Sequence, residues 1–109
     1  MIEEEQINIM GLDSKFEGRL TVSGVTRFYG ELSGDILGGK SSHLAIMEGA
    51  QVIGNVQADD VFVSGYVKGK IQAQKTISLG PTARVYGDLN SPEIKIDIGA
   101  LLEGHCQTS

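Results

Sequence analysis

The chain has 109 residues, 40% of them hydrophobic, with 9 Lys and Arg against 14 Asp and Glu, a formal charge of -5. At roughly 100 to 200 residues per domain this is one domain and not a two-domain enzyme, and the acidic balance offers no basic field for phosphate backbones, which argues against a nucleic-acid partner. A single Cys excludes an internal disulfide, and with no basic start and apolar run at the front the sequence predicts a reducing, cytoplasmic location; no stretch reaches the roughly 18 apolar residues of a membrane span.

In chain order, residues 1–12 carry Glu3, Glu4 and Glu5 ahead of Ile7, Ile9 and Met10 and read as a flexible tail whose apolar half can lie over the first coil. From residue 13 to 109 the chain repeats. Apolar, any, Gly, any, apolar recurs along the chain and marks six units, centred on Gly18, Gly34, Gly54, Gly69, Gly87 and Gly104, at steps of 16, 20, 15, 18 and 17. A fixed period of this kind marks units that bury their core only by stacking on their neighbours. Within units the period is two, as in Val61, Val63, Gly65, Val67, Gly69, Ile71 and Ala73, which predicts short strands with one face inward and no helix of any length. Hairpins favour Asn-Gly or Asp-Gly loops, and neither dipeptide occurs, so each repeat is expected to be one coil. The fold expected is a single-domain, all-β parallel β-helix, a β-solenoid of about six coils. Leu37 to His43 reads as a loop inserted between coils two and three, and Gly80-Pro81-Thr82 and Ser91-Pro92 read as corners, because Pro cannot donate to a central ladder.

Several motifs invite chemistry. Gly34-Asp35-Ile36-Leu37-Gly38-Gly39-Lys40-Ser41 satisfies the phosphate-cradling pattern GxxxxGK[ST]. That mechanism requires a strand before the loop and a helix after it, whereas Leu44 and Ile46 alternate as a strand does, so no nucleotide site is expected. His43 and His105 lack a Ser or Cys at a spacing that suggests a base and its nucleophile. Cys106 occupies an inward position of the sixth unit and is expected to be a small core residue. One Cys and two His fall short of a four-ligand zinc site. No catalytic, cofactor or metal site is therefore expected. The enzymatic alternative is an acyltransferase on hexapeptide coils, since Val61, Val67, Ala73, Leu79 and Val85 fall every six residues, with His43 as its one candidate base. The register drifts on either side of that stretch. The remaining alternative is a β-helix binding module that does not polymerise.

A β-helix has no lateral edges, but each end exposes unpaired backbone groups and a cross-section of apolar core, which is either covered or used. The sequence runs only three residues past the sixth unit, so no helical C-terminal cap is expected. Ile96, Ile98 and Leu102 are expected at one end of the rod and Phe16, Leu20 and Val22 at the other. Like ends meeting by two different two-fold contacts give an open chain of subunits, so the partner expected is the chain itself.

Taken in order, Gly18 to Ile36, Glu48 to Ala58, Val61 to Ala73, Thr82 to Pro92 and Ile96 to Cys106 resemble the bactofilins, polymer-forming cytoskeletal proteins of bacteria. The closing coils, Ala83 to Leu89 and Gly99 to Cys106, carry the most specific part of the resemblance. It implies a right-handed helix, assembly without nucleotide into filaments commonly described as lacking polarity, and a scaffold role in cell shape or at the envelope. Two features depart from the family. Leu102 stands where a Phe is frequent, and Met1-Ile2 is followed by three acids rather than Lys. Anionic lipid repels Glu3 to Glu5, which argues against attachment at the inner face of the membrane.

Overall fold

A computed structural model describes residues 7–10, 15–22, 24–39 and 41–108. Eleven strands are found among them: β1 (Ile7–Met10), β2 (Lys15–Val22), β3 (Val25–Phe28), β4 (Glu31–Gly38), β5 (His43–Ile46), β6 (Gln51–Ile53), β7 (Val56–Val63), β8 (Tyr66–Leu79), β9 (Arg84–Asn90), β10 (Glu93–Ile96) and β11 (Leu101–Gln107). No described residue is helical, and every pairing is parallel. The chain is a β-solenoid of about five turns, the five steps that separate the six Gly-centred units.

Three ladders run along the rod. The first joins β1, β3, β5, the end of β7, the end of β8 and β10, so that Thr26, Leu44, Val61, Ile77 and Ile94 lie in one column and Phe28, Ile46, Val63, Leu79 and Ile96 in the next inward one. The second joins the starts of β2 and β4, then β6, the start of β8, and the starts of β9 and β11, with Leu32, Val52, Val67, Val85 and Leu102 in register. The third joins the ends of β2 and β4, the start of β7, the middle of β8, and the ends of β9 and β11, with Ile36, Val56, Ile71, Leu89 and Cys106 in register. Alternation along each strand sends these residues to one side of the sheet, and stacking of like on like makes a continuous aliphatic core. From Phe28 to Leu89 its members are buried.

The repeated Gly is the corner between the second and third ladders. Gly18, Gly34, Gly54, Gly69, Gly87 and Gly104 lie in register, and from Gly34 onward each has φ near +140°. A Cβ on Gly69 would overlap the carbonyl oxygen of Gly54 one coil below, and the same holds up the column. Only Gly combines that backbone with that approach. This requirement is what the sequence displays as its period.

The other corners are less uniform. Gly80 to Ala83 and Asp97 to Ala100 are turns closed by Ala83 N to Gly80 O (3.0 Å) and Ala100 N to Asp97 O (3.1 Å). The segment expected as a loop from Leu37 to His43 is shorter: Leu37 and Gly38 complete β4 and His43 opens β5, because both ends pair with neighbouring coils. Ile7–Met10, within the segment expected as a tail, pairs with β3 and begins the first ladder.

Candidate assembly ends

Through the interior, each inward side chain is covered by a coil on both sides. At the C-terminal tier that ceases. Ile77, Leu79, Ala83, Val85 and Leu89 of the fifth tier are at most 1% exposed. Ile94, Ile96, Ala100, Leu102 and Cys106 come next in the same columns, yet Ile96 is 49% exposed, Cys106 is exposed, and Ile94, Ala100 and Leu102 are only partly buried against the core. One coil's worth of apolar cross-section therefore faces outward. Among the described residues β10 pairs only with β8 and β11 only with β9, so the outer N–H and C=O groups of both strands have no ladder partner.

Cys106 corrects an expectation. Its register with Leu89 is the inward one, as the repeat requires, but burial also needs a coil above, and no described residue supplies one. Ile96 and Leu102 lie in inward columns of this tier. Ile98 does not: it stands at the tip of the Asp97 to Ala100 turn, 98% exposed. Ile94, Ala100 and Cys106 complete the exposed C-terminal tier beside them, and the columns of Ile77, Ala83 and Leu89 carry the signal for these positions.

At the opposite end, β1 pairs only with β3 and β2 only with β4 among the described residues. The register sets Phe16 beside Leu32, Leu20 beside Ile36 and Val22 beside Gly38, all positions of the inward columns. The side chains of Phe16, Leu20 and Val22 lie outside what the structure describes.

The phosphate-loop pattern falls at the corner between the third and first ladders. Lys40 lies outside the described residues. Gly34 belongs to the glycine column, and strand β5 comes after Ser42 where the nucleotide mechanism needs a helix N-terminus. The Ser41 amide donates to the Asp59 carboxylate. Ser42 is fully buried; its hydroxyl donates to Gly39 O (2.6 Å) and accepts from the Asp59 amide (3.1 Å). Amides that would cradle phosphate thus serve the protein's own corner, with an acid at hand. His43, at the start of β5, pairs through Nδ1 with Asp60 Oδ2 at 2.9 Å on the outer surface of the first ladder. His105 lies beside Asp88 in the third. No Ser or Cys thiol accompanies the His43 pair in its column, which runs Val25, His43, Asp60, Thr76 and Glu93. No group of three or more His, Cys, Asp or Glu among the described residues could hold a metal ion.

No curated protein and no solved structure matches the chain. Residues 8–107 match the family model described as bactofilin, polymer-forming cytoskeletal, a span that takes in all three ladders, the glycine column and the uncovered C-terminal tier, and the chain accordingly belongs to the bactofilin family.

Proposed function

We propose that this chain is a structural, non-catalytic subunit that joins end to end into filaments without nucleotide, and that the filaments serve as a cytoplasmic scaffold for proteins of cell shape or the envelope. The observation that carries this reading is the uncovered C-terminal tier of Ile94, Ile96, Ala100, Leu102 and Cys106 above a fully buried copy of the same tier. Membership of a polymer-forming family supports it. An apolar cross-section edged by unpaired strand groups is strongly adhesive in water, and a second copy of the same end offers a complementary surface. Two distinct self-complementary ends on one subunit give an open chain rather than a closed ring.

The partner in this reading is the chain itself, at the C-terminal end through Ile96, Leu102 and the neighbouring Ile98, and at the other end through Phe16, Leu20 and Val22. Client proteins meet the side surfaces. No described helix is long and apolar enough to cross a membrane, and Glu3 to Glu5 disfavour an anionic lipid surface. Negative-stain imaging and high-speed sedimentation of purified protein without nucleotide test the proposal. Filaments are expected; a discrete particle at every concentration would overturn it.

A further inference from the structure

The corner between the first and second ladders is uneven. Four residues separate β5 from β6 and four separate β8 from β9, but only Ser64 and Gly65 separate β7 from β8. The longer turns on either side stand out beyond the short one and leave a notch, whose lining includes Gln51, Ser64, Tyr66, Thr82 and Arg84, with Glu48 its one acid. Beside the notch, on the outer face of the second ladder, the register makes a square: Tyr66 stands next to Arg84, and Lys68 next to Tyr86. The tyrosine rings meet across one diagonal, centroids 5.5 Å apart, and the two cations occupy the other. Ile53, next to Lys68 on the adjoining coil, is 48% exposed. Among the described residues neither cation has a side-chain partner: the ion pairs are His43–Asp60 and Lys95–Glu93, and the side-chain hydrogen bonds lie elsewhere. The nearest acids of the ladder, Glu31 and Glu103, stand beyond Gln51 and Tyr86.

We propose that the notch and the square dock a short extended segment of a client protein, one that carries two carboxylates two residues apart beside an aromatic or aliphatic side chain. The inference rests on the scaffold reading and names where on the rod a client binds. Charge selects the occupant. A chain of -5 repels an acidic segment over most of its surface, and Lys68 with Arg84 is a place where unpaired positive charge collects. One coil and two residues apart, their backbones are separated by about 8 Å, and side chains two apart on an extended segment point the same way at about 6.6 Å, within reach of two long cations. The apolar side chain sits in the notch against Tyr66, with Ile53 and Tyr86 offering further apolar contact. Strand addition is closed to the segment, because β6 lies between β4 and β8, and the start of β8 between β6 and β9.

Other occupants fit less well. The same face of a second copy would bring four positive charges together. A folded domain needs more room: three coils at about 4.8 Å and four residues at about 3.3 Å enclose roughly 200 Å², against the roughly 800 Å² per partner of a standard interface. A single site of this size is weak, and a filament that repeats it on every subunit holds a multimeric client by avidity.

Dodecapeptides displayed on phage and selected on wild-type protein should be enriched in the acid pair with its aromatic or aliphatic neighbour. The tightest of them, labelled with fluorescein, should lose at least tenfold in affinity by polarisation on Lys68→Glu/Arg84→Glu, where two attractions become two repulsions. Tyr66→Ala should weaken it as well, and Lys75→Glu, at the corner between the third and first ladders, should leave it unchanged. Selection without acids, equal binding to the double variant, or equally good competition by polyglutamate would each overturn the proposal. So would a peptide of residues 1–12 that binds the face more tightly than any selected one, or anionic vesicles that pellet the wild type and spare the double variant, since the occupant would then be the chain's own tail or a lipid surface. The affinity should be the same on the Leu102→Arg variant, which reads the face without filaments. Peptide binding lost while filaments form would therefore sink the docking site alone, and peptide binding by a protein that never forms filaments would sink the scaffold reading alone.

Discussion

Replacing Leu102 with Arg tests the end contact at its centre. Leu102 stacks on Val85, which is fully buried, and is itself partly buried, with the smaller part of its surface still open. Burying a Leu completely is worth about 1.5 to 3 kcal/mol, so that remaining part offers about 0.5 kcal/mol per copy, or about 1 for the two copies of a two-fold junction. An Arg there forfeits that gain and also takes a guanidinium out of water, at roughly 1 to 3 kcal/mol for even a neutral polar group without a partner, and this cost falls on both copies. A total of at least about 3 kcal/mol per junction raises the critical concentration for assembly at least about a hundredfold. The fold is little affected, because the variant side chain can turn to solvent at the open tier; the melting temperature should stay within about 5 °C, the shift expected of 1 kcal/mol in a domain of this size. Sedimentation velocity should then show a dimer, held through the untouched N-terminal ends. Filaments at the wild-type critical concentration would refute the end contact, and a monomer would refute the like-to-like arrangement.

The glycine column predicts a contrast: Gly69→Ala, whose Cβ would overlap backbone of the coil below, should abolish folding as judged by circular dichroism, whereas Gly18→Ala, with open space around it, should carry only the positive-φ cost of about 1 to 2 kcal/mol. Ser42→Ala leaves the Asp59 amide without its acceptor and Gly39 O with only the backbone amide of residue 42 as donor, so a loss of about 1 to 3 kcal/mol in urea unfolding is expected, and unchanged stability would contradict the role assigned to that hydroxyl. The Cys106 thiol, exposed in the subunit, should react with a maleimide in the Leu102→Arg dimer and be protected in wild-type filaments; equal rates would place the junction elsewhere. Filament yield should be the same with and without magnesium and ATP, since the Ile36 and Ser41 amides of the loop pattern are already engaged.

Much of this architecture is legible in the sequence because one backbone requirement recurs. Each coil needs a Gly where φ is positive and the coil below is close, and six such positions at a mean step near 17 announce a solenoid before any strand is located. Period-two alternation then assigns the inward columns, and the two Pro residues mark corners. What the sequence hides is anything that depends on the tier rather than the column. Cys106 and Leu89 have the same register and opposite burial, because one has a coil above it and the other does not. Ile98 reads as one more alternating aliphatic, Ile94-Ile96-Ile98, but the turn that begins at Asp97 breaks the alternation and carries it to a corner. Outward columns are hidden for a different reason: Gln57, Gln72, Asn90 and Gln107 are unrelated polar positions in the linear sequence, and only the register stacks them.

The same register bears on how strong the junctions can be. Inside the rod every coil meets the next by parallel pairing on all three ladders at once, with like residues stacked on like. A two-fold junction between identical ends cannot continue that pattern. The axis lies across the rod, so strands that meet there run antiparallel; if it passes through the second ladder, β11 faces β11 of the other copy while the first ladder of one subunit meets the third of its partner. Only one ladder is then continuous, and the apolar columns no longer coincide. The junction buries the same kind of surface as an internal step, with poorer backbone pairing and looser packing. Filaments built this way come apart at their junctions before any coil unwinds, so dilution or mild urea should release folded subunits with their β-sheet circular dichroism intact, and loss of that signal in parallel with depolymerisation would mean that the ends pair as fully as the interior does.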